Sequence, residues 1–312
     1  MAEFFPEGFI INTKENNDFL NSSSSLMQAK QSGRILEAKA ILCDNKHNLI
    51  VNLGCMKGFI PRSEVALEQN GEKLKDIAII SRVNKPVCFV ISKFENKSNG
   101  TIAILSRKTA QEMCFEHKIS KMCSGDVIDA VVTHLENFGA FVDIGCGIVS
   151  FLPIDMISVS RITHSNERFK QGMKIKVVVK SIAKERINLT HKELLGTWEE
   201  NVKQFSIGET VPGIVRSIED YGIFVELAPN LAGLAELRND VHKGQQISVY
   251  IKNIIPEKMK IKLVIIETFD TKPKIDYPKY FFHENHMEKF IYSPSCCQKI
   301  IETNFSKSLV NV

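Results

Sequence analysis

Gly125-Asp-Val-Ile-Asp-Ala-Val-Val-Thr-His-Leu-Glu-Asn-Phe-Gly-Ala-Phe-Val-Asp-Ile-Gly145 aligns without a gap with Gly208-Glu-Thr-Val-Pro-Gly-Ile-Val-Arg-Ser-Ile-Glu-Asp-Tyr-Gly-Ile-Phe-Val-Glu-Leu227, offset by 83 residues. The match continues downstream. Lys174-Ile-Lys-Val-Val-Val-Lys180 corresponds to Gln246-Ile-Ser-Val-Tyr-Ile-Lys252, and Arg186-Ile-Asn-Leu189 to Lys260-Ile-Lys-Leu263. A more divergent copy lies upstream. It runs from Ser32-Gly-Arg-Ile-Leu-Glu-Ala-Lys-Ala40 through Leu49-Ile-Val-Asn-Leu-Gly-Cys55 to Gly58-Phe-Ile-Pro61, which matches Ser150-Phe-Leu-Pro153. Internal repetition at this period means one structural unit used three times.

Each copy carries about five short runs rich in Val, Ile and Phe, with period-two alternation and Gly, Asn or Asp at the breaks. That is the pattern of a small antiparallel barrel. Successive strand side chains face opposite sides, so Ile175, Val177 and Val179 are expected to point inward and Lys174, Lys176 and Lys180 outward. Phe94-Glu-Asn-Lys-Ser-Asn-Gly100 reads as a hairpin tip in the first copy. The joints read as helical. Thr109–Lys118 links copies one and two, and Leu194–Phe205 links two and three. Leu194, Trp198, Val202 and Phe205 form one apolar stripe, which makes the single tryptophan a packing residue.

The chain has 312 residues, 44% hydrophobic and 24% charged, as a folded globular protein does. No run of eighteen apolar residues is present and the N-terminus lacks the form of a secretory signal, so no membrane span or export is expected. Forty basic against thirty-six acidic residues give a net charge of +4, which permits a nucleic-acid partner but excludes a purely electrostatic one. None of the eight cysteines forms a Cys-x-x-Cys pair, so a reducing, cytoplasmic setting without disulfides is expected.

These motifs resemble the S1 domain, an OB-fold RNA-binding module. The resemblance rests on Gly-Asp/Glu-x-Val/Ile at each barrel start, Phe/Tyr-Gly-x-Phe-Val in the second strand, the Gly-Phe-Ile-Pro or Gly-Leu-Ala-Glu strand, and the closing Arg/Lys-Ile-x-Leu. It covers about residues 31–268 in three copies. The first copy is also similar to short S1-like proteins of clostridial-type bacteria. The expected fold is therefore all-β dominated, with three tandem five-stranded OB-fold barrels joined by short helical linkers and a small C-terminal cap. The expected divisions are an N-terminal arm (1–30), a degenerate first barrel (31–115), a second barrel (120–193), a helical linker (194–205), a third barrel (206–268) and a C-terminal extension (269–312).

The resemblance implies that the paired aromatics and a basic residue of the last strand hold RNA. Carried over, these are Phe138, Phe141 and Arg186 in copy two and Tyr221, Phe224 and Lys260 in copy three. Lys174, Lys176 and Arg216 are further candidate cations. Residues three apart on a regular strand face opposite sides, so Gly139 is expected to absorb a bulge that lets both rings share one face. Exposed rings stack on unpaired bases with little sequence preference. Copy one has His47, Asn48, Leu49 and Ile50 at the aligned positions, with no aromatic pair, so it either binds RNA poorly or serves as a docking domain. The family departs here at Pro61, Pro153 and Glu236, where many S1 domains carry histidine, and at Ala183 and Ile255, where they often carry aspartate.

No Walker loop, dinucleotide fingerprint or zinc-protease helix is present. His283-Glu-Asn-His286 with Cys296-Cys297 lacks finger spacing and reads as a hairpin cap rather than a metal site. No convergent acid, base and nucleophile set appears, so no enzyme, cofactor or metal is expected. The expected function is non-catalytic: a monomer binding single-stranded RNA or mRNA at the small ribosomal subunit. The alternatives are an RNA-binding accessory in RNA decay or transcription, and a protein-binding scaffold.

Overall fold

The computed structural model describes residues 4–67, 74–98, 100–183, 186–271 and 274–306. It contains three closed five-stranded barrels and a two-stranded sheet. Barrel 1 is built from β1 (Leu36–Cys43), β2 (Leu49–Asn52), β3 (Lys57–Ile60), β4 (Pro86–Lys97) and β5 (Gly100–Ser106). Barrel 2 comprises β6 (Val127–Glu136), β7 (Gly139–Asp143), β8 (Val149–Pro153), β9 (Lys174–Ala183) and β10 (Arg186–Thr190). Barrel 3 comprises β11 (Thr210–Glu219), β12 (Gly222–Ala228), β13 (Leu231–Ala235), β14 (Gln246–Ile255) and β15 (Lys260–Phe269).

All three share one cyclic strand order, first-second-third-fifth-fourth, with the third and fifth strands parallel. The alternation seen in the sequence fills the interiors. Ile175, Val177 and Val179 are buried, as are Ile223, Val225, Ile247, Val249 and Ile251. Long strands close so small a barrel only by coiling. Register shifts on β14–β15 at Ser248/Val249 and Ile251/Asn253 supply the added twist. The hairpin expected over 94–100 joins β4 to β5, with Lys97 opposite Gly100.

The chain forms two compact units. One holds Met1–Met122 with Asp129–Val131 and Val142–Val149; the other holds Cys123–Ile128, Val132–Phe141 and Ser150–Val312. In the first, α1 (Lys14–Leu20) and α2 (Ser23–Gln31) are capped by the Thr13 and Ser22 hydroxyls. The serine run thus starts a helix, with Ser22 as its cap. Leu20, Leu26 and Ala29 enter the barrel 1 core, so the N-terminal segment packs as part of this unit and does not extend as an arm. Helix α3 (Asp76–Ile80) adds Ile79 to the same core. Glu7 lies at the centre of a buried charge cluster. It receives Arg107 Nε at 2.6 Å and the Cys88 N–H at 3.1 Å, while its own N–H donates to Asp143 at 2.7 Å. Burial and the Glu7 charge push the Asp143 carboxyl up to about 7. Helix α4 (Arg107–His117) follows barrel 1 as the expected linker.

In the second unit the joint between barrels is not one helix. A 3-10 turn at Lys192–Leu195 stops at Gly196, whose φ of 85° lies in the region that favours glycine. Helix α5 (Trp198–Val202) then starts under a Thr197 capping box. The apolar stripe divides accordingly. Leu194 packs with Val178, Met287 and Phe305, whereas Trp198 and Val202 join the barrel 3 core. Trp198 is buried, in keeping with a packing role.

The C-terminal extension pairs β16 (Lys289–Ile291) with β17 (Glu302–Asn304), and runs across both barrels of this unit. On barrel 2, the Val127 N–H donates to the Asn285 carbonyl and the Phe281 N–H to the Leu194 carbonyl. On barrel 3, the Trp198 N–H donates to the Tyr292 carbonyl, and the Tyr292 hydroxyl reaches the Asn230 carbonyl at 2.6 Å. His286 of the discounted metal motif pairs with Asp126 at 2.7 Å. Among the described residues no group of three or more His, Cys, Asp or Glu is placed to hold a metal. Among the described residues no helix is long and apolar enough to cross a membrane. All eight cysteines are free thiols.

Candidate nucleic-acid interface

The β6–β7 hairpin of barrel 2 turns over two residues, Asn137 and Phe138, so Phe138 stands in the turn and not in the strand. The expected parity shift is therefore unnecessary: a turn residue is exempt from strand alternation. Gly139 has a different duty. With φ of +156°, it lies where an added Cβ would strike the Leu152 carbonyl and the Phe151 ring. Gly222 repeats this in barrel 3, where a Cβ would lie 2.6 Å from the Ala235 carbonyl. The glycine lets the third strand pass close beneath the turn and hold the first ring over the sheet.

Phe141 alternates with buried Ala140 and Val142, so it faces outward on β7 and is half-buried. Its centroid lies 6.3 Å from Phe138 in an edge contact and 5.3 Å from Phe151 on β8. Phe138 and Phe151 are 5.7 Å apart. His134 on β6 stands 6.4 Å from Phe141 and is held by Glu136 at 2.7 Å. Three phenyl rings and an imidazole thus form one outward cluster, of which the sequence named two members. Phe151 and His134 lie on neighbouring strands, at positions where nothing local marks them.

In barrel 3, Tyr221 occupies the same turn and lies edge-on to Phe224 at 6.0 Å. Register places Phe224 between Ser217 and Leu234, the counterparts of His134 and Phe151. Barrel 3 therefore offers two rings where barrel 2 offers three and an imidazole. Barrel 1 has no turn aromatic. Asp44 instead accepts the Lys46 and Asn48 N–H groups, both at 2.9 Å, and His47 contacts Arg62 at 3.0 Å.

The cations divide by location. Arg186 is exposed at the tip of β10, opposite Ala183. Two residues on, Asn188 pairs with Phe151, so Arg186 and Asn188 form an outward row beside the ring cluster. Lys260 and Lys262 repeat this row beside Leu234 in barrel 3. Asn188 and Lys262 fall at the variable position of the closing motif and escaped the sequence reading. Lys174 is exposed and Lys176 half-buried. The Lys176 N–H donates to the Tyr280 hydroxyl at 2.8 Å, and Val178 beyond it is fully buried against Met287 and Phe305. This stretch of β9 therefore faces the C-terminal extension.

Arg216 is buried, 7% exposed, and its guanidinium is fully committed. It bonds Glu226 at 2.7 and 3.1 Å and Glu167 at its remaining nitrogen. It sits at the β11 register shift between Val215 and Ser217, which turns it under the sheet face instead of out from it. Glu226 also accepts from Arg168 of barrel 2. Burial alone would raise the Glu167 carboxyl, but hydrogen bonds from Thr163 and the Arg216 charge outweigh it and hold it below its ordinary value. Arg216 thus belongs to an ion-pair network between barrels 2 and 3 and is not presented on the surface.

Residues 121–192 match the family described as the S1 RNA binding domain. Barrel 2 with its ring cluster is an S1 domain, and two further barrels of the same strand order share the chain. The chain is similar to the small ribosomal subunit protein bS1 of Staphylococcus aureus, at 29% identity over 273 residues, covering 82% of this chain and 67% of that protein. It is likewise 29% identical to the bS1 protein of Rhizobium meliloti, covering 72% of this chain and 41% of that one. A solved multidomain protein with nucleic acid binding domains from Streptococcus pneumoniae aligns over 75% of this chain and 73% of its own. The identity is 12% and the TM-score 0.24.

Proposed function

We propose that the chain is a non-catalytic protein of the translation apparatus that holds single-stranded mRNA at the small ribosomal subunit, in the cytoplasm and as a monomer. The observation that carries this is the outward cluster of Phe138, Phe141 and Phe151 inside the segment that matches the S1 family. Its relatives bearing the name of a small-subunit protein support the ribosomal part of the reading. Phe138, Phe141, Arg186, Tyr221, Phe224 and Lys260 are the proposed RNA contacts, with Lys174 at the margin. Lys176 and Arg216 hold structure instead. The proposed divisions are the three barrels, with barrel 1 and its N-terminal helices as the docking part.

Between Lys121 and Glu200 ten basic residues balance ten acidic ones, so barrel 2 has no bulk attraction for phosphate. Stacking and a few local cations must carry the binding, which predicts a shallow salt slope, about −0.7 per neutralised phosphate on a single strand. Co-sedimentation with 30S subunits, alongside a salt titration of poly(U) binding, tests the reading. Pelleting with subunits and a shallow slope are expected. Failure to bind poly(U) at low salt refutes it.

A further inference from the structure

The loop that follows β8 connects the two ring clusters. The Ser165 hydroxyl, fully buried, donates to the Glu136 carbonyl at 2.8 Å, at the foot of the turn that carries Phe138. Just beyond it Glu167 and Arg168 pair with Arg216 and Glu226 of barrel 3. Glu226 lies on the same face of β12 as Phe224, because inward-facing Val225 separates them; the two are roughly 6–7 Å apart along the strand. The loop is also fastened to barrel 3 by its backbone. The Val159 N–H donates to the Asn230 side chain and the Ser160 N–H to the Pro229 carbonyl, both at 3.0 Å.

The loop is rigid for a reason that can be read from its bonds. One oxygen of Glu167 accepts the Thr163 N–H at 2.7 Å, the Thr163 hydroxyl at 2.6 Å and the His164 N–H at 3.1 Å. The other oxygen meets Arg216. His164 Nδ1 in turn accepts the Asn166 N–H at 3.0 Å. With its buried side thus pinned, the loop turns Arg161, Thr163 and Asn166 to solvent, with His164 half-exposed between them. These are a cation and small polar groups, laid between two exposed aromatic sites in one compact unit.

We propose that this loop is itself a binding site: one RNA strand stacks on Phe138 and its neighbours, crosses Thr163, His164 and Asn166 with Arg161 beside its backbone, and stacks again on Tyr221 and Phe224. The proposal rests on the RNA-binding reading above and adds the path and the loop to it. The ion-paired group of Arg168, Glu226, Arg216 and Glu167, in which Arg216 and Glu226 are buried, acts as a positioning set. It holds the second ring site where a strand leaving the first can meet it, so the second contact is made at high effective concentration.

The test uses the full chain and fluorescent oligo(U) of five and fifteen nucleotides, the short one within a single barrel's footprint of about 4–16 nucleotides. Asn166→Glu changes an exposed side chain and places a negative charge on the path. It is expected to weaken the fifteen-mer at least fivefold and to leave the five-mer within twofold, whereas Phe138→Ala weakens both. In the unmodified chain, 4-thiouridine at the centre of the fifteen-mer is expected to crosslink within residues 161–166. That map decides the matter if Asn166→Glu fails to fold. Crosslinks elsewhere, or an Asn166→Glu effect that is absent or equal at both lengths, overturns the path while leaving RNA binding intact. No binding by either oligomer overturns the RNA reading and the path together.

Discussion

Replacing Phe138 with alanine separates a binding ring from a core ring. The side chain is 54% exposed, so folding shields only about half of its apolar surface. Full burial of a phenylalanine contributes about 1.5–3 kcal/mol, so removing this ring should cost the fold about 1 kcal/mol. Its edge contact with Phe141 and its tilted contact with Phe151 add a little to that. Phe169 in the same unit is 1% exposed, and its truncation should cost about 3–5 kcal/mol. For binding, the order should reverse. Loss of a stacked base at Phe138 removes about 1–3 kcal/mol, which is roughly 5- to 150-fold in affinity. Anisotropy with labelled oligo(U) reads the binding, and urea denaturation followed by circular dichroism reads the fold. A Phe138→Ala protein that unfolds readily yet binds with unchanged affinity would refute the assignment of this ring to the interface.

Gly139→Ala should destabilise barrel 2 severely, because its Cβ meets the Leu152 backbone at a φ that side chains avoid; a melting temperature within two degrees of wild type would contradict this. Deleting residues 274–312 should expose Val178 and Leu194, and a fragment ending at 268 should be less stable than one carried to 306, which urea midpoints will show. The two units should respond to acid in opposite senses. Burial depresses His191 to about 4, below its ordinary 6.5, so the second unit loses stability as pH falls from 6.5 through 4, by on the order of 3 kcal/mol. Burial raises Asp143 and Glu37 to about 7, so their protonated forms favour the first unit, which should gain stability from these groups as pH falls from 7 towards 4.5. Hydrogen exchange resolved by segment across that range checks both signs, and a common direction in the two units would count against the burial argument.

Much of the architecture was written in local pattern. The 83-residue repeat, the alternation of Ile175, Val177 and Val179, and the paired aromatics beside Gly139 and Gly222 are properties of short stretches, and short stretches are what a strand and a turn are made of. From them followed the barrels, their number and the two ring pairs. Phe151, His134 and Asn188 complete the barrel 2 surface, yet they come from three different strands. Their meeting depends on which strand lies beside which and in what register, which no single run of residues contains.

Coverage was equally invisible from sequence. Lys176 and Val178 read as solvent and strand face by alternation alone, until a segment a hundred residues later closes over them. Leu194 and Trp198 fit one helical stripe, but Gly196 between them breaks the helix and sends them to different cores. Arg216 was named from sequence as a candidate cation for RNA. One extra residue in that strand and two carboxylates, one of them carried on a neighbouring barrel, turned it into a buried fastening. Alternation is set by the backbone within a strand and can be read in the sequence. Whether an outward side chain meets water, RNA or another part of the protein depends on groups distant in the chain, and only the folded molecule brings those together.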